Sequence, residues 1–262
     1  MITRTFFRGI VIAALMGFAG GVALLQSYSI KSELAVADNF GNFYVAGKNR
    51  LAKYSTEGKY LFPYEEFRYG KIGAIDPTNP LKLMVYFPDF STAVFLDKFL
   101  SPLSTLNFFE LGYQNITAVA SSVDGKVWFY DNVDFKLKKI DETGKVFRES
   151  QPLNLILKQT PYPNFMLERD NQVYMNDPQL GILVFDFYGS YGKTIPLKGL
   201  IKFQVTQGNI VYFEEQKLKS YTPNTFETKE VQLPDTARLT NALISKDKLL
   251  LLKPDSLFFY SY

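Results

Sequence analysis

The chain of 262 residues contains no cysteine and no histidine. Without cysteine there is no disulfide, no thiol nucleophile and no thiolate-ligated zinc. Without histidine, Ser-His-Asp and Cys-His catalysis fall away, together with the commonest transition-metal ligand. An enzyme made from this chain would have only Asp, Glu, Lys, Tyr, Ser and Arg for acid–base work, which leans the reading away from catalysis. Nothing in the composition calls for a cofactor or a metal. Charge of one sign is scarce as well. The net charge of +3 falls to +1 once Arg4 and Arg8 are set aside, and the lysines are scattered. Nucleic-acid binding needs a concentrated basic face, and the sequence has none. Low-complexity tracts and a disorder signature are also missing.

What is present is aromatic. Phe and Tyr number 24 and 17, and aromatics reach 16% of the chain. Such side chains fill the pleated surfaces of strands. Residues 118–147 show the pattern at its clearest. A strand runs to an Asp124-Gly125 turn, Lys126–Tyr130 and Lys136–Ile140 follow, and Asp141-Glu142-Thr143-Gly144 leads to a fourth short strand. Alternating apolar residues bounded by Asp-Gly turns signal antiparallel hairpins.

The same hairpin recurs along the chain. Turn residues Gly41, Asn79, Gly125, Asn171, Gly208 and Asp247 each precede a second strand, at intervals of 37 to 46 residues. Four-stranded propeller blades repeat at this period, and Gly, Asn and Asp tolerate the positive φ of tight turns. The expected fold is therefore an all-β, six-bladed β-propeller of four-stranded blades. The sixth copy runs out after its third strand, at Tyr262. An apolar edge left open there would invite aggregation, so the segment 26–32 (QSYSIKS) is expected to supply the missing outer strand and close the ring. Residues 153–158 (LNLILK) are the one expected helical or extra-strand insertion. An outer-membrane barrel is the competing β architecture, but its strands need about 9–11 residues with one apolar and one polar face. The strands here are shorter, and several are apolar on both faces.

Residues 1–27 have the three parts of a secretory signal: Arg4 and Arg8, an uncharged apolar run from Gly9 to Leu25, and small residues near its end. Cleavage after Ala23 or after Ser27 fits equally. An uncleaved anchor is the alternative, from a run at the short edge of what spans a bilayer. Residues 28–262 then form a single propeller domain, expected in the periplasm, free or associated with the outer membrane.

Several runs carry a resemblance: 76–101 (DPTNPLKLMVYFPDFSTAVFLDKFLS), 121–131 (SSVDGKVWFYD), 137–146 (LKKIDETGKV) and 181–196 (GILVFDFYGSYGKTIP). They resemble exported six-bladed propellers of Bacteroidota, with the architecture of the NHL and quinoprotein-like propellers but without those families' sequence signatures. The resemblance implies fold and compartment and carries no catalytic residue across, because one fold hosts many functions.

Asp38, Asp76, Asp124 and Asp170 stand at the first hairpin turn of four blades, where repetition points to architecture: each is expected to accept turn N–H bonds. Asp131 and Asp134 resemble a fragment of a calcium loop but lack the Gly and closing Glu of a complete one. The adjacent pairs Glu65-Glu66 and Glu214-Glu215 point to opposite faces of a strand and read as surface. Function is sought where copies differ. Blade two has a rigid Asp76-Pro77-Thr78-Asn79-Pro80 turn and then Pro88-Asp89-Phe90. The loops 65–69 and 159–164 are likewise aromatic or proline-rich. Aromatics and Arg are favoured interface anchors, so Phe67, Arg68, Tyr69, Phe90 and Tyr162 are the binding candidates. Asp89 and Glu168 join them as the non-repeated carboxylates. The preferred expectation is a non-enzymatic interaction or scaffold propeller, an accessory subunit of an envelope or outer-membrane complex with protein partners. The alternative is a carbohydrate- or small-ligand-binding propeller, of the carboxylate-dependent hydrolase or lactonase type.

Overall fold

Each alternating stretch folds as a four-stranded antiparallel sheet in the computed structural model, which describes residues 22–262. The expected leader falls largely on residues 1–21, outside the described residues. Blade one comprises Leu34–Ala37, Phe43–Ala46, Arg50–Tyr54 and Tyr60–Glu65, and blade two starts at Ala74–Asp76. Blades three, four and five start at Ile116–Ser121, Phe165–Arg169 and Gln204–Thr206. These are six separate sheets, so the barrel is excluded.

Blade six combines both ends of the described chain. Asn241–Ser245, Lys248–Lys253 and Ser256–Ser261 provide three strands, and Ala23–Ser29 pairs antiparallel with the last of them. The ring closes as the alternation in 26–32 predicts, with the strand shifted toward the N-terminus. Ala23, Leu24 and Leu25 belong to an apolar run that reads as leader, yet they extend the ladder: Ala23 pairs with Ser261 and Tyr28 with Leu257. The Tyr28 ring packs 5.1 Å from Tyr54 of blade one and 6.1 Å from Phe259 of blade six. The closing strand therefore ties the first blade to the last. Cleavage after Ala23 would leave most of this strand, whereas cleavage after Ser27 would remove most of it.

The core is distributed in six clusters, each shared by two neighbouring blades. A single sheet cannot bury both of its faces, so each blade is stable only against its neighbours. This explains the near-continuous apolar runs of the middle strands, such as Leu83–Phe87 and Leu249–Leu252, which are buried on both faces.

The turn between third and fourth strands repeats in detail. Ser55, Asp97, Asp141 and Asp186 each accept two N–H bonds through one side-chain oxygen, from the residues two and four positions on. The fourth residue of each turn is left-handed: Gly58, Leu100, Gly144 and Gly189. Leu100 (φ 64°) tolerates a conformation that costs a non-Gly residue roughly 1 kcal/mol. Its side chain is buried in the cluster between blades one and two, and burial of a Leu is worth about 2 kcal/mol. Packing wins at this position. At the first hairpin turn, Gly41, Gly125, Asn171 and Gly208 have positive φ as expected. In blade six the left-handed residue is Lys246, and in blade two Asn79 instead accepts the Leu81 N–H through its side chain. Residues Leu153–Leu157 form one helical turn.

Candidate functional site

Antiparallel strands sort the connections. The turns joining first to second and third to fourth strands gather at one end of the ring, and all are short, the longest being the 77–82 connection of blade two. The blade-to-blade connections and the loops between second and third strands gather at the other end, where 66–73, 108–115, 150–164, 196–203 and 232–240 are long. Phe67, Arg68, Tyr69, Asp89, Phe90 and Tyr162 all lie at this long-loop end. Phe67 (66% exposed), Phe90 and Tyr162 project into solvent, and Phe109, Leu155 and Ile201 from other connections do the same.

These loops are braced. Glu66 is buried and binds Arg68 in bidentate fashion, accepting Nε at 3.0 Å, Nη2 at 2.8 Å and the Arg68 N–H at 2.8 Å. The expectation of two surface carboxylates is corrected here: the opposite faces of Glu65 and Glu66 place one outward, on Arg50 at 3.0 Å, and the other inward. The Arg68 guanidinium lies 5.1 Å from the Tyr69 ring, which itself packs 5.7 Å from Phe87. Asp89 Oδ2 accepts the Lys71 N–H at 3.1 Å, joining the loop before blade two to the Pro88–Phe90 turn. Gly70 sits at the junction with φ 82°, and a Cβ there would meet Asp89 Oδ2 at 2.3 Å. Tyr162 is held by its own N–H, donated to Asp177 at 2.6 Å.

Glu168 lies elsewhere. It is 1% exposed, on the innermost strand of blade four, and its carboxylate reaches into blade three. Oε2 accepts Ser122 Oγ at 2.7 Å and Trp128 Nε1 at 2.5 Å, and Oε1 accepts the Val123 N–H at 3.0 Å. Lys139 Nζ stands 4.0 Å away, 3.0 Å from Asp124 and 4.2 Å from the Phe187 ring centre. Burial raises the Asp124 carboxyl, but the bonds from Lys139, Ser122 and Lys126 outweigh it and hold the pKa at about 2. Asp76 accepts the N–H groups of Thr78 and Ser121 at 2.8 and 2.7 Å, linking blades two and three. Burial pushes its pKa up, against the pull of those bonds.

Of the four turn carboxylates, Asp38 and Asp76 accept turn N–H bonds at 2.8–2.9 Å and Asp124 accepts one at 3.3 Å; Asp170 instead carries a left-handed backbone. The calcium-like pair is filled from within the protein, since Lys138 Nζ lies 2.9 Å from Asp131 and 2.6 Å from Asp134. No group of three or more ligating side chains is placed to hold a metal among the described residues.

The Asp76 and Glu168 links draw blade three's inner strand between those of blades two and four. Thr78 Oγ1 of blade two even reaches the Glu168 carbonyl at 3.4 Å. The remaining central space is a cavity of about 720 Å³ lined by the inner strands of blades one, two, four, five and six. Asp89 is not on its wall; Lys202 is. Burial alone acts on the Lys202 amine and lowers its pKa to about 8. Sequence reasoning missed Lys202, whose one signal is a lone cation in the apolar stretch Leu200–Phe203.

No protein-family model matches the chain, and no curated protein matches it in sequence. Its fold is similar to solved propellers. Virginiamycin B lyase from Staphylococcus aureus aligns over 92% of this chain and 100% of its own, with a TM-score of 0.63 and 12% identity. A streptogramin B lyase aligns over 92% and 87%, with a TM-score of 0.58 and 13% identity. The Pan2 WD40 domain of Neurospora crassa aligns over 92% and 95%, with a TM-score of 0.59 and 8% identity. At these identities the likeness is one of fold, and the fold is shared by catalytic and non-catalytic proteins alike.

Proposed function

We propose that the protein is a non-enzymatic interaction module of the bacterial cell envelope, docking a protein partner on the long-loop end of its ring. One observation carries this reading: exposed aromatic and aliphatic side chains stand at that end on loops that are already fixed. Phe67 and Phe90 project from two segments joined through Asp89 and Lys71, and Tyr162 is anchored through Asp177. Rigid aromatic anchors bind well because little conformational entropy remains to be lost on association. Placement in the envelope rests on the leader-like residues 1–27.

The test is a pull-down from envelope extracts of the native cells with purified variants. Phe67→Asp and Phe90→Asp together should abolish recovery of the partner, while Phe40→Asp and Phe99→Asp at the tight-turn end should not. Equal recovery by both pairs would remove the proposal. A second reading, small-ligand binding, is favoured by the central cavity, whose volume is that of ordinary ligand sites. The carboxylates do not support the hydrolase form of that reading, because Glu168 is committed to protein donors and Asp89 lies outside the cavity.

A further inference from the structure

The central cavity has a mixed wall with one apolar sector, and an imbalance of unpaired charge. Leu34, Phe165, Leu167, Phe203 and Val205 form the apolar sector, and the Phe165 and Phe203 rings meet edge to face at 5.2 Å. Most acidic groups on the wall are already occupied. Glu33 pairs with Lys71 at 3.5 Å, and Glu214 pairs with Lys219 at 2.8 Å. Asp38 accepts from its own turn and from Tyr44 at 3.0 Å. Asp76 and Glu168 hold the inter-blade links described above. Asp170 is exposed at the tight-turn mouth.

The cations are less well served. Lys246 donates to the Phe40 carbonyl at 3.0 Å. Arg169, on blade four's inner strand, has a buried Nε with no hydrogen-bond partner. Lys202 stands on the connection from blade four to blade five, beside Phe203, with no ion pair or hydrogen bond among the described residues; burial acts on its amine and no neighbouring carboxylate offsets it. An uncompensated ammonium in an apolar wall is costly unless something pairs with it.

We propose that the cavity binds an amphipathic organic anion, its carboxylate or phosphate head on the Lys202 ammonium and its apolar body along the Phe165–Phe203 wall. A volume of 720 Å³ fits a molecule of that kind and far exceeds what a simple inorganic anion needs. Lysine acts as a point charge and does not by itself choose between the two heads. The Arg169 guanidinium, farther along blade four's inner strand, can take a polar group at the opposite end of the ligand.

The experiment is calorimetric titration of the full chain with decanoate, decyl phosphate and decanol, followed by Lys202→Met and Lys202→Arg. At least one anion should bind, and decanol at least tenfold more weakly. Lys202→Met should weaken anion binding at least tenfold, and Lys202→Arg should restore it to within about threefold, since a buried charge pair is worth that much or more. Three results would overturn the proposal: neither anion binding at about millimolar concentration, decanol binding as tightly as the anions, or Lys202→Met leaving their affinity unchanged. The docking reading concerns the exposed loop end and survives any of them.

Discussion

Removing the Glu168 carboxylate should destabilise the protein severely, because several buried donors converge on it. In Glu168→Ala the Trp128 indole N–H, the Ser122 hydroxyl and the Val123 N–H lose their acceptor together, and Lys139 loses its second carboxylate. Each of the three buried donors left unsatisfied costs about 1–3 kcal/mol, while Lys139 keeps its ion pair with Asp124 at 3.0 Å. These overlap at one site and do not add, so the loss should be about 4–5 kcal/mol, against a total stability of roughly 5–15 kcal/mol. At about 2–4 °C per kcal/mol for a domain of this size, the melting temperature should fall by about 10–15 °C. Glu168→Gln keeps the shape but turns an NH₂ toward one of the donors, and should cost about 2 kcal/mol. Trp128 is the chain's one tryptophan, so its fluorescence in a urea titration reports on this site directly. A double-mutant cycle with Trp128→Phe should give a coupling of at least about 1 kcal/mol. If Glu168→Ala cost less than about 1 kcal/mol, the clamp would not be structural, and Glu168 would return to the role of ligand-binding carboxylate.

Other consequences can be measured on the same protein. Lys202→Met should stabilise the free protein by up to about 3 kcal/mol at neutral pH, since a depressed lysine pKa makes burial of the charge costly at every pH below it. Because the folded pKa of about 8 lies below the unfolded 10.5, wild-type stability should rise between those values and the gap should close; a pH-independent gap in urea titrations would contradict this. Asp124, held at about 2, contributes stability above its unfolded value of 3.8 that is lost as the pH falls toward 2. About a third of its side chain is exposed, which limits the contribution to about 1 kcal/mol, and acid titrations of Lys139→Met should show less of it, because Ser122 and Lys126 remain. Deleting 22–29 removes the closing strand and the Tyr28 contacts, and should cost about 4–5 kcal/mol from the two large side chains Leu25 and Tyr28 alone. The truncated ring should also self-associate through the exposed edge, and a monomer melting like the full chain would refute ring closure.

Much of the fold was legible because its signals are local. Gly41, Gly125 and Gly208 occupy turns whose geometry demands them, and the alternation in 26–32 marks an edge strand wherever its partner lies. The start of that strand was not legible. Ala23–Leu25 have the same composition whether they line a leader or face a sheet, and only the partner Ser256–Ser261, more than two hundred residues away, decides. The site was less readable for the same reason. A carboxylate that breaks the repeat signals function and inter-blade clamping alike, and Glu168 meets Ser122 and Trp128 across 46 and 40 residues, one blade away. Glu66 read as surface because adjacent glutamates look solvated, although alternation requires one of them to face inward. Lys202 acquires meaning only from the cavity wall around it.

Photo-cross-linking in the native cells would show whether the long-loop end is the docking face. A photoreactive residue would replace Phe67, Phe90 or Tyr162 at that end, and Phe40, Phe99 or Tyr188 at the other. One discrete cross-linked partner should come from the first three positions and none from the second three. The same yields from both ends, or cross-links from the tight-turn end alone, would contradict docking at the long-loop end.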